Sequence, residues 1–518
     1  MANTELFRSL FGVLFPAADS RNEEGAPAYE RTPRQALAQY AATGCLNATF
    51  YASADTQLDR VLALCARVDA PFVAKTAIYA RERGFMKDMP ALLLAALSRR
   101  DPALFDRTFD RVIDSPRMLR TFVQIVRSGA TGRKSLGSAP KRCVRRWLIQ
   151  RTDAALFAAS VGNAPSLADV IRMVHPKPGT REREALYRYL LGRPAALELL
   201  PDDVRQCEAF KAGDRAVVPD VPFQMLTALP LGRREWAAIA RRASWQATRM
   251  NLNTFARHGV FDEPGMTETV AARLRDASEI ARARVFPYQL LAAVRSAGAS
   301  VPRAVFGALE DAMELALANV PACDGQVYVC PDVSGSMRSP ITGRRTGATT
   351  AVRCVDVAAL TAAAVLRRNA TADVLPFSDD VVDLRLSARD SVLTNAERLA
   401  NLPAGGTAVS APLALLNRRQ AKGDLVIVVS DNESWVDANG ARGTATMREW
   451  NAFRARNRRA RLVLIDLQPY PTTQAVERED ILNVGGFSDQ VFDVVSAFAG
   501  GRLHGDHWVE AIDAIDVK

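Results

Sequence analysis

From about Arg31 to Val320 apolar residues recur at spacings of three and four rather than two, which predicts a long succession of short amphipathic helices. In Arg117 to Arg127, Met118, Phe122 and Ile125 fall on one stripe, with Leu119, Val123 and Val126 beside it. Breaks are expected at Pro71, Gly84, Pro90, Pro102, Pro116, Gly129 and Pro140. Packed helix pairs without strands suggest an α-solenoid. No repeat signature is visible, so the pattern alone supports that stacking only weakly.

The pattern changes near Ala322. Gln326 to Cys330, Asp373 to Phe377, Asp424 to Ser430 and Arg461 to Leu467 are short runs rich in Val, Ile and Leu. Helical stretches such as Val352 to Arg368 and Thr446 to Arg459 lie between them. Alternating strands and helices predict a parallel sheet covered on both faces. Pro321 and Gly325 mark the expected boundary. Phe11 to Phe15 is too short for a membrane span, and Glu5 and Arg8 argue against a secretory signal. A short amphipathic helix is the expectation there.

At 518 residues, several domains are expected. The 48% apolar and 24% charged content fits a soluble globular protein. Seven dispersed cysteines without a C-x-x-C pair count against a disulfide framework and fit a reducing compartment. Four histidines count against histidine-based catalysis. The net charge of +10 is unevenly placed: from Pro321 onward there are 22 Lys+Arg against 24 Asp+Glu, so all the excess lies before it. A polyanion partner would bind that first part, although solubility charge explains a net charge equally well.

The strongest local motif is Asp332-Val333-Ser334-Gly335-Ser336, which follows an apolar strand. Ligands collect outside the carboxyl ends of parallel strands. Gly405-Gly406-Thr407 and Val428-Val429-Ser430-Asp431 supply two more such loops. Asp332, Ser334, Ser336, Thr407 and Asp431 are therefore candidate ligands of one divalent cation, magnesium first, with manganese or calcium as alternatives. Only two of the five are carboxylates, which would leave the ion positive and open to an acidic ligand from a partner. Asp332 alone reads equally as a turn or capping residue. Gly343 to Gly347 is expected to be a basic loop, since no phosphate-binding G-x-x-x-x-G-K-[ST] is present.

Between Ser115 and Thr152 there are ten basic residues and no acid: Arg117, Arg120, Arg127, Arg133, Lys134, Lys141, Arg142, Arg145, Arg146 and Arg151. Gly129, Gly132 and Gly137 suit a loop, and Pro140 the first turn of a helix. That helix should bury Cys143, Val144, Trp147 and Leu148 and turn its arginines elsewhere. Guanidinium groups at a helix start suit phosphates. A solvated face is the competing reading, weakened by the missing acids. His175 suits either a structural hydrogen bond or contact with an unpaired base. His504 and His507, flanking Asp506, read as surface residues.

The D-x-S-x-S…T…D set resembles the metal-ion-dependent adhesion site of von Willebrand A domains. Together with the helical part, the chain resembles the Ro ribonucleoprotein family, and within it the bacterial members. The residues carrying this are Thr43-Gly44-Cys45 through Thr49-Phe50-Tyr51, Gly132-Arg133-Lys134, Ile171 to Pro178, Asn251 to Thr254, Phe286-Pro287-Tyr288, Asp332 to Met337, Pro403 to Thr407 and Ser430 to Glu433. The resemblance implies a mainly α protein. Residues 1–30 would be an extension, 31–321 a TROVE module of HEAT-like helices forming a ring, and 322–518 a doubly wound α/β von Willebrand A domain.

It further implies binding of small noncoding Y RNAs and of single-stranded ends of misfolded RNA. Arg133, Lys134, Lys141, Arg142 and Arg145 would be phosphate contacts and His175 would lie at the Y RNA surface. An exoribonuclease such as polynucleotide phosphorylase is an implied partner. A monomeric, cytoplasmic scaffold without catalysis of its own is expected. One departure is Phe157 to Asn163, which lacks the lysines that family members carry there. A second reading makes the A domain a metal-dependent module gripping an acidic protein partner. A third, a metal nuclease or phosphatase at Asp332, is disfavoured because paired carboxylates for two metals are missing.

Overall fold

A computed structural model describes residues 16–517 except 44–45, 284, 286, 317–319, 321, 324, 345–351, 370, 437–442, 487–488 and 502–506. The helix expected at Phe11 to Phe15 lies outside the described residues, as do Gly44, Cys45, Phe286, Pro321, Arg345 to Gly347, His504 and Asp506. Contacts group the chain into two compact units that interleave in sequence. One takes residues up to Val68, Arg284–Ser296 and Glu310–Ala514; the other takes Asp69–Ala283, Ala297–Leu309 and Ile515–Lys518. The boundary by contacts thus differs from the change of pattern near Ala322, because residues 16–68 pack with the sheet.

In the first unit five parallel strands lie in the order β4-β3-β5-β6-β8. They are β3 (Val327–Pro331), β4 (Asp373–Val374), β5 (Leu425–Ser430), β6 (Arg461–Asp466) and β8 (Ile481–Gly485). Every residue of β5 is buried, as expected of a central strand covered on both faces. Cys354–Arg368 and Ala445–Arg456 are helices close to the spans expected for them. The Asp373 to Phe377 run is shorter as a strand than its apolar length suggests: only Asp373–Val374 form it, and Phe377 turns into the core. The edge strand β8 was not anticipated. A second sheet joins β1 (Ser20–Arg21), β2 (Pro27–Glu30) and β7 (Thr472–Thr473) antiparallel, so the arm before residue 31 is hydrogen-bonded to the A domain. Tyr29 of that arm belongs to the same core cluster as Tyr328, Val428 and Trp450.

The regular elements of the second unit, among the described residues, are all helices. Its first helices are Ala70–Glu82, Asp88–Arg100, Pro102–Val112, Pro116–Ser128 and Ser138–Gln150. Pro71, Pro90, Pro102, Pro116 and Pro140 lie in first turns rather than between helices, because proline's missing N–H costs nothing there. Asp69, Asp101 and Ser115 cap these starts by accepting first-turn N–H groups. In Pro116–Ser128 the expected stripe is buried except for half-buried Ile125. Phe122 packs against Phe105 and Phe109 with centroids 5.8 and 5.5 Å apart. Trp147 is core, its indole N–H donating to the Ile113 carbonyl at 2.7 Å.

Candidate metal centre and cationic surface

The three loops expected to converge do so at the carboxyl ends of β3 and β5. The Asp332 N–H donates to the Val429 carbonyl at 2.9 Å, which binds the first loop to the third. The Gly335 N–H donates to the Gly405 carbonyl at 3.0 Å, which binds the first to the second. Asp332, Ser334, Ser336, Thr407 and Asp431 are all buried, none more than 5% exposed. Asp332 accepts the Ser334 N–H at 2.8 Å and the Ser430 hydroxyl at 2.6 Å. The Ser334 and Ser336 hydroxyl oxygens are 3.4 Å apart.

Both carboxyls are pushed above the ordinary carboxylate range. For Asp332 the cause is burial and then the charge of Asp431; for Asp431 it is burial, opposed by a hydrogen bond from Ser336. Two desolvated acids with only neutral donors around them are an expensive arrangement, and a bound cation would relieve it. The mixed hydroxyl and carboxylate oxygens suit a hard divalent ion. No group of three or more His, Cys, Asp and Glu suited to a metal occurs among the described residues.

Several neighbours escaped the sequence reading. Tyr51, whose hydroxyl is pushed up by burial and by Asp431, hydrogen-bonds Ser336. Glu433, fully buried, accepts the Glu23 N–H at 2.9 Å and is raised well above the usual range by burial and by Asp431. Asp466, at the end of β6, pairs with Arg31 and accepts from Gln39 at 3.1 Å; burial nevertheless pushes it up to about 7. Asp466 was findable, since a carboxylate ending a parallel strand obeys the rule that located Asp431. The arm contacts were not, because they join residues some four hundred positions apart.

In the helical unit the ten cations meet different fates. Arg146 pairs with Asp106 at 2.9 Å and Asp110 at 3.0 Å, and Arg142 reaches Asp106 at 3.9 Å. Acids absent from the segment are therefore supplied by the helix Pro102–Val112. Arg133 braces backbone, donating to the Ser98 carbonyl at 3.0 Å. Arg151 lies over the Trp147 ring at 4.5 Å. Arg117, Arg127 and Lys134 are exposed and Lys141 half-exposed, none with an acid partner among the described residues.

Arg145 donates to the Val174 carbonyl, which brings it to the helix end where exposed His175 takes a left-handed conformation, φ 49°. Arg120 donates to the Ala159 carbonyl at 3.1 Å, and a Cβ on Gly162 would meet its guanidinium at 2.7 Å. The stretch Phe157 to Asn163, without a base of its own, thus receives one from the helix Pro116–Ser128. Lys87 is an addition the sequence reading missed. Surrounding protein, then Arg117 and Arg81, hold its ammonium below the ordinary lysine range although its side chain reaches solvent. Such crowding of like charges marks a strongly positive surface.

A doubly wound parallel sheet bearing this loop set defines a von Willebrand A domain, and residues 326–499 match the family described as the Ro60 vWA domain. Over 522 aligned residues the chain is 26% identical to the "RNA-binding protein RO60" of Deinococcus radiodurans, covering 93% of this chain and 96% of that one. It is 23% identical over 265 residues to the Caenorhabditis elegans protein of the same name, covering 49% of this chain and 40% of that relative. The crystal structure of the Deinococcus radiodurans Ro (Rsr) protein shares the fold, with a TM-score of 0.62 at 22% identity, over 91% of this chain and all of that one. The chain is similar to the Deinococcus protein along nearly its whole length. Both relatives are named as RNA-binding proteins.

Proposed function

We propose that the chain binds RNA through its helical unit and acts as a scaffold rather than a catalyst. The observation that carries this is the likeness, across nearly both full lengths, to a protein named for RNA binding. Arg117, Arg127, Lys134, Lys141 and Arg142, with Lys87, offer phosphate contacts not already consumed by close ion pairs. Arg145 and His175 stand together as an edge for a folded RNA of the Y type, with Arg120 beside them in role if not in contact. Arg133 and Arg146 act mainly by holding the surface in shape.

The A domain would hold magnesium through Asp332, Ser334, Ser336, Thr407 and Asp431, with manganese or calcium able to substitute. When bound, the ion supplies a positive centre for an acidic ligand. The chain's own residues would hold it and leave a position open to that ligand. We read the protein as a cytoplasmic monomer that presents single-stranded RNA ends to an exoribonuclease such as polynucleotide phosphorylase. No helix among the described residues is long and apolar enough to cross a membrane.

Purifying the protein from its host and sequencing the nucleic acid that accompanies it tests the proposal. Enrichment of particular structured small RNAs is expected. Recovery of no RNA above that of an unrelated basic protein would sink it.

A further inference from the structure

The A-domain half is slightly acidic overall, yet Arg454, Arg456, Arg458, Arg459 and Arg461 fall within eight positions of it. They end the helix Ala445–Arg456, form the turn after it and begin β6. The favourable field of a helix C-terminus accounts for Arg454 and Arg456, which lie in its last turn. It does not account for the other three. Arg458 and Arg459 are exposed and have no acid partner among the described residues.

Arg454, Arg458, Arg459 and Arg461 line an open cleft of about 670 Å³ at the amino ends of the strands, with Gly325, Asp424 and Gly501 beside them. Strands of five or six residues separate that end from the metal loops by roughly 15–20 Å. Arg461 enters the cleft with one face on the Phe498 ring, 4.9 Å from its centroid, and with its Nη1 buried without an acceptor among the described residues. Gly501, at φ 72°, permits the approach: a Cβ there would stand 3.3 Å from Arg461 Nη2.

The acids of the cleft do not neutralise this group. Asp480 is occupied by Trp450 at 2.8 Å, Arg478 at 2.7 Å and Arg454 at 2.5 Å. Asp424 accepts the Gln326 N–H at 2.9 Å, tying down the start of β3. Exposed Asp424 and Glu479 are the acids left to oppose the arginines among the described residues, and neither pairs with one of them. The helix's last carbonyls are also covered: Ala452 accepts from Arg456 at 2.9 Å and Phe453 from the Asn457 side chain at 3.1 Å. The partial negative charge of the helix end is therefore largely masked.

We propose that Arg458, Arg459 and Arg461 form a phosphate-binding site on the A domain, separate from the metal site. Planar guanidinium forks suit phosphate oxygens, and no aromatic residue lines the cleft among the described residues, so the site reads the phosphate and not the sequence. The phosphate has two possible sources, a free nucleotide or a second stretch of an RNA chain. The RNA source rests on the function proposed above; the nucleotide source does not.

The test uses the full chain in metal-free buffer at low salt. Inorganic phosphate, uridine monophosphate and a short oligouridylate are titrated separately by calorimetry. For each, the parent is compared with Arg458→Ala/Arg459→Ala and with Glu479→Gln. Both changes are at exposed positions, and the Arg458→Lys/Arg459→Lys pair checks for charge without the fork. The double alanine variant is expected to weaken inorganic phosphate by about tenfold or more, lysine to restore part of it, and Glu479→Gln to strengthen it.

Uridine monophosphate weakened as much as inorganic phosphate identifies the nucleotide source. The RNA source is identified by thiouridine cross-links from the oligouridylate to residues 454–461 that disappear in the double variant. Phosphate affinity equal in parent and double variant, or no phosphate binding by the parent, overturns the site. A chain that binds phosphate here but no RNA anywhere leaves the site standing and overturns the RNA function instead.

Discussion

At the scale of single residues, the candidate metal centre is a problem of buried charge. Asp332 and Asp431 sit out of water and burial raises both, with the charge of Asp431 adding to the rise of Asp332. Replacing Asp332 with Asn removes the repulsion while the Ser334 N–H and Ser430 hydroxyl keep an acceptor. The metal-free variant is therefore expected to be as stable as the parent within about 1 kcal/mol, or more stable. It should lose any stabilisation by magnesium, which for a site at a hundredfold its dissociation constant amounts to about 2.7 kcal/mol. Melting curves with and without magnesium measure this; an equal magnesium shift in parent and Asp332→Asn would remove Asp332 from the ligand set. The five candidate ligands were legible because a loop after a strand is a local signal. Tyr51, Glu23 and Arg31 were not, since nothing in their own neighbourhoods points toward residues 336, 433 and 466.

At the scale of elements, the ion pair that fastens the helix Cys354–Arg368 carries a pH signature. Asp356 is fully buried and accepts from Arg353 at 2.7 Å and from Arg295 at 2.6 and 3.0 Å. Burial raises its carboxyl, but the two arginines outweigh it and hold it below the ordinary range. A depressed acid stabilises the fold above its unfolded value, about 3.9, and that stability is lost as pH falls through the folded value. Asp356→Asn should thus cost about 3 kcal/mol at pH 7 and progressively less below pH 4. Urea unfolding of both proteins at several pH values reads the difference directly, and a cost independent of pH would show that the charge is not the cause.

A second element-scale prediction concerns Gly162→Ala. It should displace Arg120 from the Phe157 to Asn163 edge and weaken a structured RNA about tenfold, while leaving single-stranded RNA unchanged. Equal affinities for parent and variant on both RNAs would dissociate that edge from binding. The helices and the central strands were readable from period alone. Their ends were less so, because expected breaks at prolines proved to open helices, the Asp373 to Phe377 run pairs over two residues only, and β8, interrupted by Asn483 and Gly485, carries too little apolar pattern to declare itself.

At the scale of the whole molecule, charge is partitioned more sharply than composition suggests. The surplus lies before Pro321, and within it the acids of Pro102–Val112 pair off Arg146 while leaving Arg117, Arg127 and Lys134 to solvent. The partition was countable from the sequence. Which cations are consumed by ion pairs was not, because their partners come from other helices. RNA held through such a surface must release counterions, so its affinity falls linearly with the logarithm of salt, by about 0.7 per phosphate contact for single strands.

The central claim is that the exposed cations of the helical unit hold RNA. The most direct measurement is the salt dependence of single-stranded RNA affinity for the parent and for Arg117→Glu/Arg127→Glu/Lys134→Glu/Arg142→Glu. Affinity is predicted to fall by at least about a hundredfold, with a salt slope shallower by roughly two to three and unfolding by urea unchanged. Parent-like affinity and slope in a folded variant would contradict the account.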